Sequence, residues 1–172
     1  MMMNAGSEKG RFFCLFLIYL FFIIKLEMAY TYKYPRPAVT VDIAVLKKKS
    51  SGYEILLIKR KFDPFADMWA LPGGFVDMDE TVEVAASREL FEETNLSGIH
   101  LDQFHVYSEL DRDPRGRTIS VVFIGFFTNQ QQVIAKDDAK EVCWHPINEL
   151  PELAFDHGEI ILMIKKKCLA NQ

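Results

Sequence analysis

Three glutamates that lie close together give this chain of 172 residues its clearest chemical signal. Glu89, Glu92 and Glu93 have the spacing i, i+3 and i+4, which in a helix places side chains on one side. Carboxylates crowded in this way repel one another unless a cation lies among them. Hard cations such as Mg²⁺ prefer oxygen ligands and often share them with substrate phosphates. A solvated acidic helix face is the ordinary alternative, so the surrounding residues decide between the two interpretations.

Those surrounding residues resemble the signature of the Nudix hydrolases, Gly-x5-Glu-x7-Arg-Glu-U-x-Glu-Glu-x-Gly-U, in which U is a bulky aliphatic residue. The matching residues are Gly74, Glu80, Arg88, Glu89, Leu90, Glu92, Glu93 and Leu96. Asn95 replaces the second glycine, and Asn is the next residue best able to end a helix in the left-handed conformation. The direct resemblance covers this box, and a weaker likeness extends from about Tyr30 to His157.

The resemblance implies a divalent metal, Mg²⁺ or Mn²⁺, as cofactor. Glu89 and Glu93 are then the principal metal ligands, Glu92 shares the cluster, and the backbone carbonyl of Gly73 completes the set. Glycine at this position lets the backbone approach the metal closely, although an ordinary Gly-Gly turn is an equal alternative. Glu92 and Glu93 are also the expected catalytic residues.

Other residues of the box are expected to support it. In the family the first glutamate and the arginine pair and fix the geometry of the loop and helix. We therefore assign Glu80, Arg88 and Gly74 a structural role.

A further catalytic acid is common in Nudix enzymes, in the loop before a late strand. Asp138 is the first candidate here, as a general base or an additional metal ligand, with Asp137 and Glu141 behind it. A polar loop that happens to contain aspartates is an equal alternative, so the identity of the base stays open.

An arginine-bearing loop is the first candidate for substrate binding. Arg112, Arg115 and Arg117 fall in the segment Asp-Arg-Asp-Pro-Arg-Gly-Arg-Thr. Guanidinium groups bind phosphate oxygens in pairs, but Asp-Pro-Arg-Gly also favours a plain turn. The segment resembles a loop of Nudix enzymes that act on ADP-ribose and related NAD metabolites, and Pro114 lies near a proline typical of that subgroup. Trp69 is a candidate stacking surface for a base, with a place in the core as the alternative.

The expected activity is metal-dependent hydrolysis of ADP-ribose to AMP and ribose 5-phosphate. One alternative is a pyrophosphatase that removes damaged nucleoside triphosphates. Another is a sensor that binds an ADP-ribose-like ligand without cleaving it, because Leu153-Ala154-Phe155-Asp156-His157 also resembles a Nudix-type transcriptional regulator. Such regulators carry a winged-helix domain after the Nudix unit, and we expect none here. His157 is expected to be a structural residue at a helix start.

Periodicity predicts the elements that position these residues. The expected strands are Ala38–Leu46, Tyr53–Ile58, Leu101–Leu110, Ile119–Phe127 and Glu141–His145, and the expected helices are Glu80–Thr94 and His157–Leu169. The first two strands form a hairpin around a turn at residues 47–52. Strands with one central and one final helix indicate an α/β domain. The resemblance implies a Nudix α/β/α sandwich with a mixed β-sheet.

Composition bounds the partners. A net charge of −4 argues against a nucleic-acid backbone as the main partner, so we expect a small nucleotide substrate, with a homodimer as an open alternative to a monomer. Cys14, Cys143 and Cys168 are widely spaced and odd in number, which favours reduced thiols in a cytoplasmic protein.

The first residues form a separate problem. Residues 12–24 are an unbroken apolar run, shorter than the roughly 20 residues that span a bilayer. An upstream extension, a membrane anchor and a signal peptide stay open, and Met28 is an alternative start. We assign residues 1–27 to this extension and residues 28–172 to the hydrolase domain, so membrane association would depend on residues 12–24.

Overall fold

The computed structural model describes residues 31–128 and 131–169. The chain divides into two units, Met1–Arg36 and Pro37–Gln172, and all the helices and strands described below belong to the second. The apolar run at residues 12–24 and Met28 lie outside the described residues, so the expectations for that segment stay predictions. Within the described ranges, no helix is long and apolar enough to cross a membrane.

The hairpin predicted at the start of the domain is confirmed. β1 (Ala38–Lys49) pairs antiparallel with β2 (Gly52–Arg60). Both strands are longer than predicted. In β1 the reason is that the lysines which the sequence places in the turn continue the strand. Lys47 and Lys49 lie beside the carboxylate of Glu54 across the hairpin, at N–O distances of 3.4 and 3.6 Å.

The sheet of the described chain contains seven strands and is mixed. The remaining strands are β3 (Trp69–Ala70), β4 (Gly73–Phe75), β5 (Leu101–Tyr107), β6 (Thr118–Phe126) and β7 (Ala139–Pro146). Their order is β3-β2-β1-β6-β5, with β4 paired to β1 and β7 paired to β2. β1 and β6 run parallel, whereas the other strand pairs are antiparallel.

Two helices, α1 (Val82–Thr94) and α2 (His157–Ile164), cover the two faces of this sheet. Side chains alternate between faces along a strand, so β1 supplies both cores. On one face its Val41, Ile43 and Val45 share a core with Ala85, Ala86 and Leu90 of α1. On the other face its Ala44 and Leu46 share a core with Ile160, Ile161 and Ile164 of α2. The α/β/α sandwich with a mixed sheet is therefore confirmed.

The helix that carries the box glutamates has a cap at each end. Thr81 accepts a hydrogen bond from the backbone N–H of Val84 through its side chain, so α1 begins two residues later than predicted. Asn95 ends α1 in the left-handed conformation, with φ 63°, and donates its N–H to the carbonyl of Phe91. This confirms the expectation that Asn serves where the signature has glycine.

Other boundaries also differ from the prediction: β6 is shifted by one residue, and β7 is longer at both ends. β5 ends at Tyr107, because Arg117 donates to the carbonyls of Ser108 and Glu109 and takes them out of the strand pairing. The last helix is α-helical only to Ile164 and continues as a π-helical turn over Lys165–Leu169.

Candidate active site

A cavity of about 310 Å³ opens beside β1, where the strand changes its partner. β4 pairs with residues 40–42 of β1, whereas β2 pairs with residues 46–49 along the same strand. Several predicted site residues line this cavity, namely Gly73, Gly74, Arg88, Glu89, Arg112, Arg115 and Asp138. We call it the diphosphate cavity, for the ligand group that its charges suit.

Arg88 joins the carboxylates of the box to one another. Its guanidinium donates to both oxygens of Glu80, to Glu89 at 2.8 Å and to Glu92 at 2.9 Å. It also donates to the backbone carbonyl of Phe75 at 3.0 Å, at the end of β4. One arginine therefore links α1 to the strand and loop that precede it, and the supporting role that the resemblance implies for it stays a prediction.

Glu89, Glu92 and Glu93 form what we call the carboxylate cluster. Within it, Glu93 is buried, with 6% of its surface exposed. Its Oε2 accepts the backbone N–H of Gly73 at 2.9 Å. Burial raises the pKa of this carboxyl to about 8, and the negative charges of Glu89 and Asp138 act in the same direction. Burial also raises the pKa of Glu89. The cluster therefore binds positive charge, whether a proton or a cation, more readily than separated carboxylates do.

The donor set of this cluster fits a hard divalent cation. Glu89 and Glu93 offer carboxylate oxygens, which Mg²⁺ and Mn²⁺ prefer. Within residues 31–128 and 131–169, however, no three His, Cys, Asp or Glu side chains converge as they would around an ion. In this structure the guanidinium of Arg88 engages the carboxylates of Glu89 and Glu92.

The buried position of Glu93 predicts how stability depends on pH without metal. Since its pKa in the folded chain lies near 8, above the ordinary value of 4.5, the stabilisation from its proton is complete below pH 4.5. It is lost progressively as the pH rises towards 8. In EDTA, we expect the Tm to fall between pH 5 and pH 8, and to fall less in Glu93→Gln. Equal slopes for the two proteins, measured by calorimetry, would contradict the burial of this group.

Two glycines allow the backbone of β4 to approach its neighbours closely. A Cβ atom on Gly73 would lie 2.1 Å from the backbone oxygen of Val41, so no side chain fits there. A Cβ atom on Gly74 would lie 2.3 Å from Oε1 of Glu89. Glycine at position 73 is therefore required by the backbone of β1, whereas a side chain at position 74 would push the Glu89 carboxylate aside.

Gly74→Ala should consequently displace the Glu89 carboxylate. We expect the Mg²⁺ concentration that gives half-maximal activity to rise about tenfold or more. A displacement of about 1 Å at a catalytic site can lower the rate about a hundredfold, so a misplaced ligand carboxylate should weaken metal binding clearly. Gly158→Ala is the matched control, because its Cβ would lie 4.0 Å from the nearest atom, Leu153 Cδ1. A Gly74→Ala enzyme with an unchanged metal requirement would show that Glu89 is not a ligand.

The three candidate acids at the start of β7 and just before it have different surroundings in the structure. Asp138 lines the diphosphate cavity, and its charge acts on Glu93. Glu141 pairs with Lys59 at 3.0 Å, and Asp137 accepts a hydrogen bond from Lys61 only through its backbone carbonyl. Asp138 is therefore the acid of this loop that the fold brings to the carboxylate cluster.

The predicted substrate-binding residues differ in whether they line the diphosphate cavity. Arg115 lines the diphosphate cavity, held by Asp113, with its guanidinium 4.9 Å from the ring of Phe75. Arg117 donates hydrogen bonds to backbone carbonyls and does not line the cavity. The ring of Trp69 packs edge-on against His145 at 4.5 Å between centroids, outside the cavity.

Arg112 lies at the wall of the cavity, but other protein groups occupy its side chain. It donates two hydrogen bonds to Asp156, at 2.8 and 2.7 Å, and one to Asp42 at 3.3 Å. His157 lies 3.3 Å from the other oxygen of Asp42, and its Nδ1 accepts the N–H of Leu71 at 2.9 Å. The guanidinium and the imidazole therefore tie β1, α2 and the segment before Gly73 together.

This network also sets the charge of Asp42. Although burial alone would raise its pKa, His157, a hydrogen bond from Ser120 and Arg112 together hold the pKa of the carboxyl below its ordinary value. Asp42 is therefore an ionised group inside the domain. His157 begins α2, is buried and lines the diphosphate cavity, so its structural role stays a prediction.

Sequence reasoning missed four charged residues of the cavity wall, namely Asp42, Arg60, Asp77 and Asp113. The signal for Asp42 was a lone charged residue in the apolar run of β1. The signal for Arg60 was its position at the end of β2, two residues after the apolar run that ends at Ile58. Burial and the nearby charge of Arg115 lower the pKa of Arg60, so two guanidinium groups lie on the same side of the cavity.

Comparison with known proteins agrees with this geometry. The sequence profile of the NUDIX domain matches residues 36–163. An ADP-ribose pyrophosphatase of Methanocaldococcus jannaschii is 50% identical over 128 residues, which cover 74% of this chain and 73% of that protein.

Two solved structures with a similar fold add information about ligands. One is the NUDIX domain of Shewanella oneidensis NrtR in complex with ADP ribose, with a TM-score of 0.72, 27% identity, and coverage of 84% of this chain and 97% of that one. The other is a bifunctional NMN adenylyltransferase/ADP ribose pyrophosphatase of Francisella tularensis in complex with AMP and a Mn ion. It has a TM-score of 0.66 and 34% identity, and the match covers 88% of this chain and 46% of that one. With the intact box and the matching fold, this chain belongs to the Nudix family and is a Nudix hydrolase.

Proposed function

We propose that this Nudix hydrolase cleaves the diphosphate of ADP-ribose into AMP and ribose 5-phosphate. The observation that carries the proposal is the diphosphate cavity, which has carboxylates on one side and the guanidinium groups of Arg60 and Arg115 on the other. The 50% identity to an ADP-ribose pyrophosphatase supports the choice of substrate.

The carboxylate side is the proposed place for Mg²⁺ or Mn²⁺. Glu89, Glu93 and the carbonyl of Gly73 would hold the metal, and Glu92 would join them once released from Arg88. When bound, such a cation neutralises charge on the diphosphate and lowers the pKa of a water molecule. The structure of the Francisella protein in complex with AMP and a Mn ion supports a divalent metal as cofactor.

The arginine side is the proposed place for the phosphate oxygens. The guanidinium of Arg60 donates only to the carbonyls of Pro64 and Phe62 among the described residues, and no carboxylate pairs with it directly. Arg115 is paired with Asp113 but is partly exposed towards the cavity. Arginine planes suit the bidentate binding of phosphate. Arg112 would act indirectly, by holding the wall of the cavity.

Hydrolysis needs an acceptor for the proton of the attacking water. The water oxygen forms a bond to phosphorus, the bridging P–O bond breaks, and the released oxygen remains on the leaving phosphate. We propose that Asp138 accepts the proton, because its exposed carboxylate makes no hydrogen bond with the described residues and lines the same cavity.

The test is a product analysis. The purified chain is incubated with ADP-ribose and either Mg²⁺ or Mn²⁺, and the products are separated by chromatography. We expect AMP and ribose 5-phosphate in equal amounts, and no turnover in EDTA. Release of inorganic diphosphate from nucleoside triphosphates, with ADP-ribose untouched, would instead identify the pyrophosphatase.

A ligand sensor is the second candidate, because the similar Shewanella domain belongs to NrtR and binds ADP ribose. The complete carboxylate set favours hydrolysis, since binding alone does not require it. Tight binding of ADP-ribose by calorimetry without product after hours would favour the sensor.

The other expectations about partners stay proposals. A homodimer, a cytoplasmic location and an association with membranes through residues 12–24 have the support that the sequence provides. Fractionation of cells that express the whole chain or a form starting at Met28 tests the membrane association.

A further inference from the structure

A second cavity, of about 610 Å³, adjoins the diphosphate cavity. The two share Arg112 and Phe155 in their walls. A volume of this size is within the range of small-molecule sites, roughly 300–1,000 Å³. A substrate whose diphosphate lies in the first cavity can therefore extend one of its two arms into the second.

Aromatic residues in unusual backbone conformations form part of its wall. Phe65 and Phe155 pack edge to face, with 4.8 Å between ring centroids. Both have left-handed backbones, with φ of 64° and 53°. Bulky residues rarely adopt this conformation, and such strain concentrates at ligand sites. Leu110, which is 73% exposed, adds apolar surface to the same cavity.

Carboxylates surround this apolar wall. Glu109, Asp111 and Glu159 line the cavity, and their side chains make no hydrogen bond or ion pair with the residues that the structure describes. Asp156 also lines it and is paired with Arg112, the only arginine in this lining. Unshared carboxylates accept hydrogen bonds from hydroxyl and amino groups and repel phosphate. The charge here is thus opposite to that of the arginine side of the diphosphate cavity.

We propose that this second cavity, the acidic cavity, binds a sugar arm of the substrate through its free hydroxyl groups and excludes arms that carry a further phosphate. The assignment rests on the proposed function, since it places the arm relative to the scissile diphosphate. It makes the acidic cavity a determinant of specificity for diphosphates whose sugars are otherwise unphosphorylated.

The test compares three substrates that differ by one phosphate. These are ADP-ribose, its derivative with a 2′-phosphate on the adenosine ribose, and its derivative with a 1″-phosphate on the distal ribose. We expect kcat/KM to fall by about tenfold or more for the derivative whose added phosphate enters the acidic cavity, because like charges placed together disfavour the wrong ligand. The derivative that is affected also identifies the arm. If neither derivative is disfavoured, the proposal is overturned.

A double variant distinguishes the effect of the carboxylates in the acidic cavity from the effect of the protein's overall charge. Asp111→Asn/Glu159→Gln should raise the ratio of kcat/KM for the affected derivative to kcat/KM for ADP-ribose, because it removes carboxylates that repel the added phosphate. The matched control is Asp102→Asn/Glu149→Gln, which removes two exposed charges that line neither cavity. An equal rise of this ratio in both variants would also overturn the proposal.

The readouts distinguish the two assignments. Turnover of ADP-ribose itself tests the proposed function, and the ratios between substrates test the acidic cavity. If ADP-ribose is bound but not cleaved, the same comparison between substrates is made with Kd values from calorimetry. The proposal for the acidic cavity is then tested independently of the proposed hydrolysis.

Discussion

Glu93→Gln is expected to lower kcat for ADP-ribose about a thousandfold, since a lost metal contact is worth several kcal/mol and each 1.36 kcal/mol is tenfold. Glutamine retains the size of the side chain and an oxygen that can accept the N–H of Gly73, which Glu93 accepts at 2.9 Å. It removes the negative charge that would bind the cation. The fold should therefore persist, with a Tm in EDTA at pH 8 no lower than that of the unchanged chain.

Two further variants serve as a comparison and a control for this result. Glu92→Gln should also remove most of the turnover, although Glu92 is less buried and is held by Arg88 in this structure. Glu149→Gln removes an exposed carboxylate elsewhere and should leave kcat unchanged. Full activity in Glu93→Gln, measured at saturating Mg²⁺, would refute the assignment of the carboxylate cluster.

Arg112→Ala should cause the largest loss of stability among the cavity residues. Its side chain is 5% exposed, the carboxylate of Asp42 beside it is buried, and the side chain of Asp156 is 13% exposed. Removing one partner of a buried ion pair leaves an uncompensated charge and costs about 3–5 kcal/mol. We expect a loss of that size in the free energy of unfolding, measured by urea denaturation.

Two controls separate the buried network from surface electrostatics. Arg112→Lys keeps the charge but not the planar fork, so an intermediate loss is expected. Lys59→Ala breaks an ion pair with the exposed carboxylate of Glu141, and such pairs contribute about 0–1 kcal/mol. A loss for Arg112→Ala no larger than that for Lys59→Ala would contradict the network.

The sequence predicts the parts of this protein that depend on neighbours in the chain. Glu89, Glu92 and Glu93 share a side of α1 because the helical period places them there. Strand positions follow from runs of apolar residues, and the left-handed Asn95 follows from the short polar side chain that this conformation tolerates. These features need no knowledge of distant residues.

Other features depend on contacts that no local pattern encodes. Arg112 binds Asp42, 70 positions away, and Asp156, 44 positions away, so its buried role depends on how three elements meet. Trp69 packs on His145 because β3 and β7 both pair with β2. The contact between Arg88 and three glutamates likewise requires side-chain positions that the spacing alone leaves open.

The most direct test of the carboxylate cluster measures its affinity for a cation when hydrolysis is blocked. Mn²⁺ is titrated into the protein in the presence of an ADP-ribose analogue with a methylene group in place of the bridging oxygen, and free Mn²⁺ is followed by electron paramagnetic resonance. We predict binding that the analogue strengthens and that Glu93→Gln abolishes, with Glu149→Gln as control. Equal Mn²⁺ binding by the Glu93→Gln variant and the unchanged chain would contradict the account.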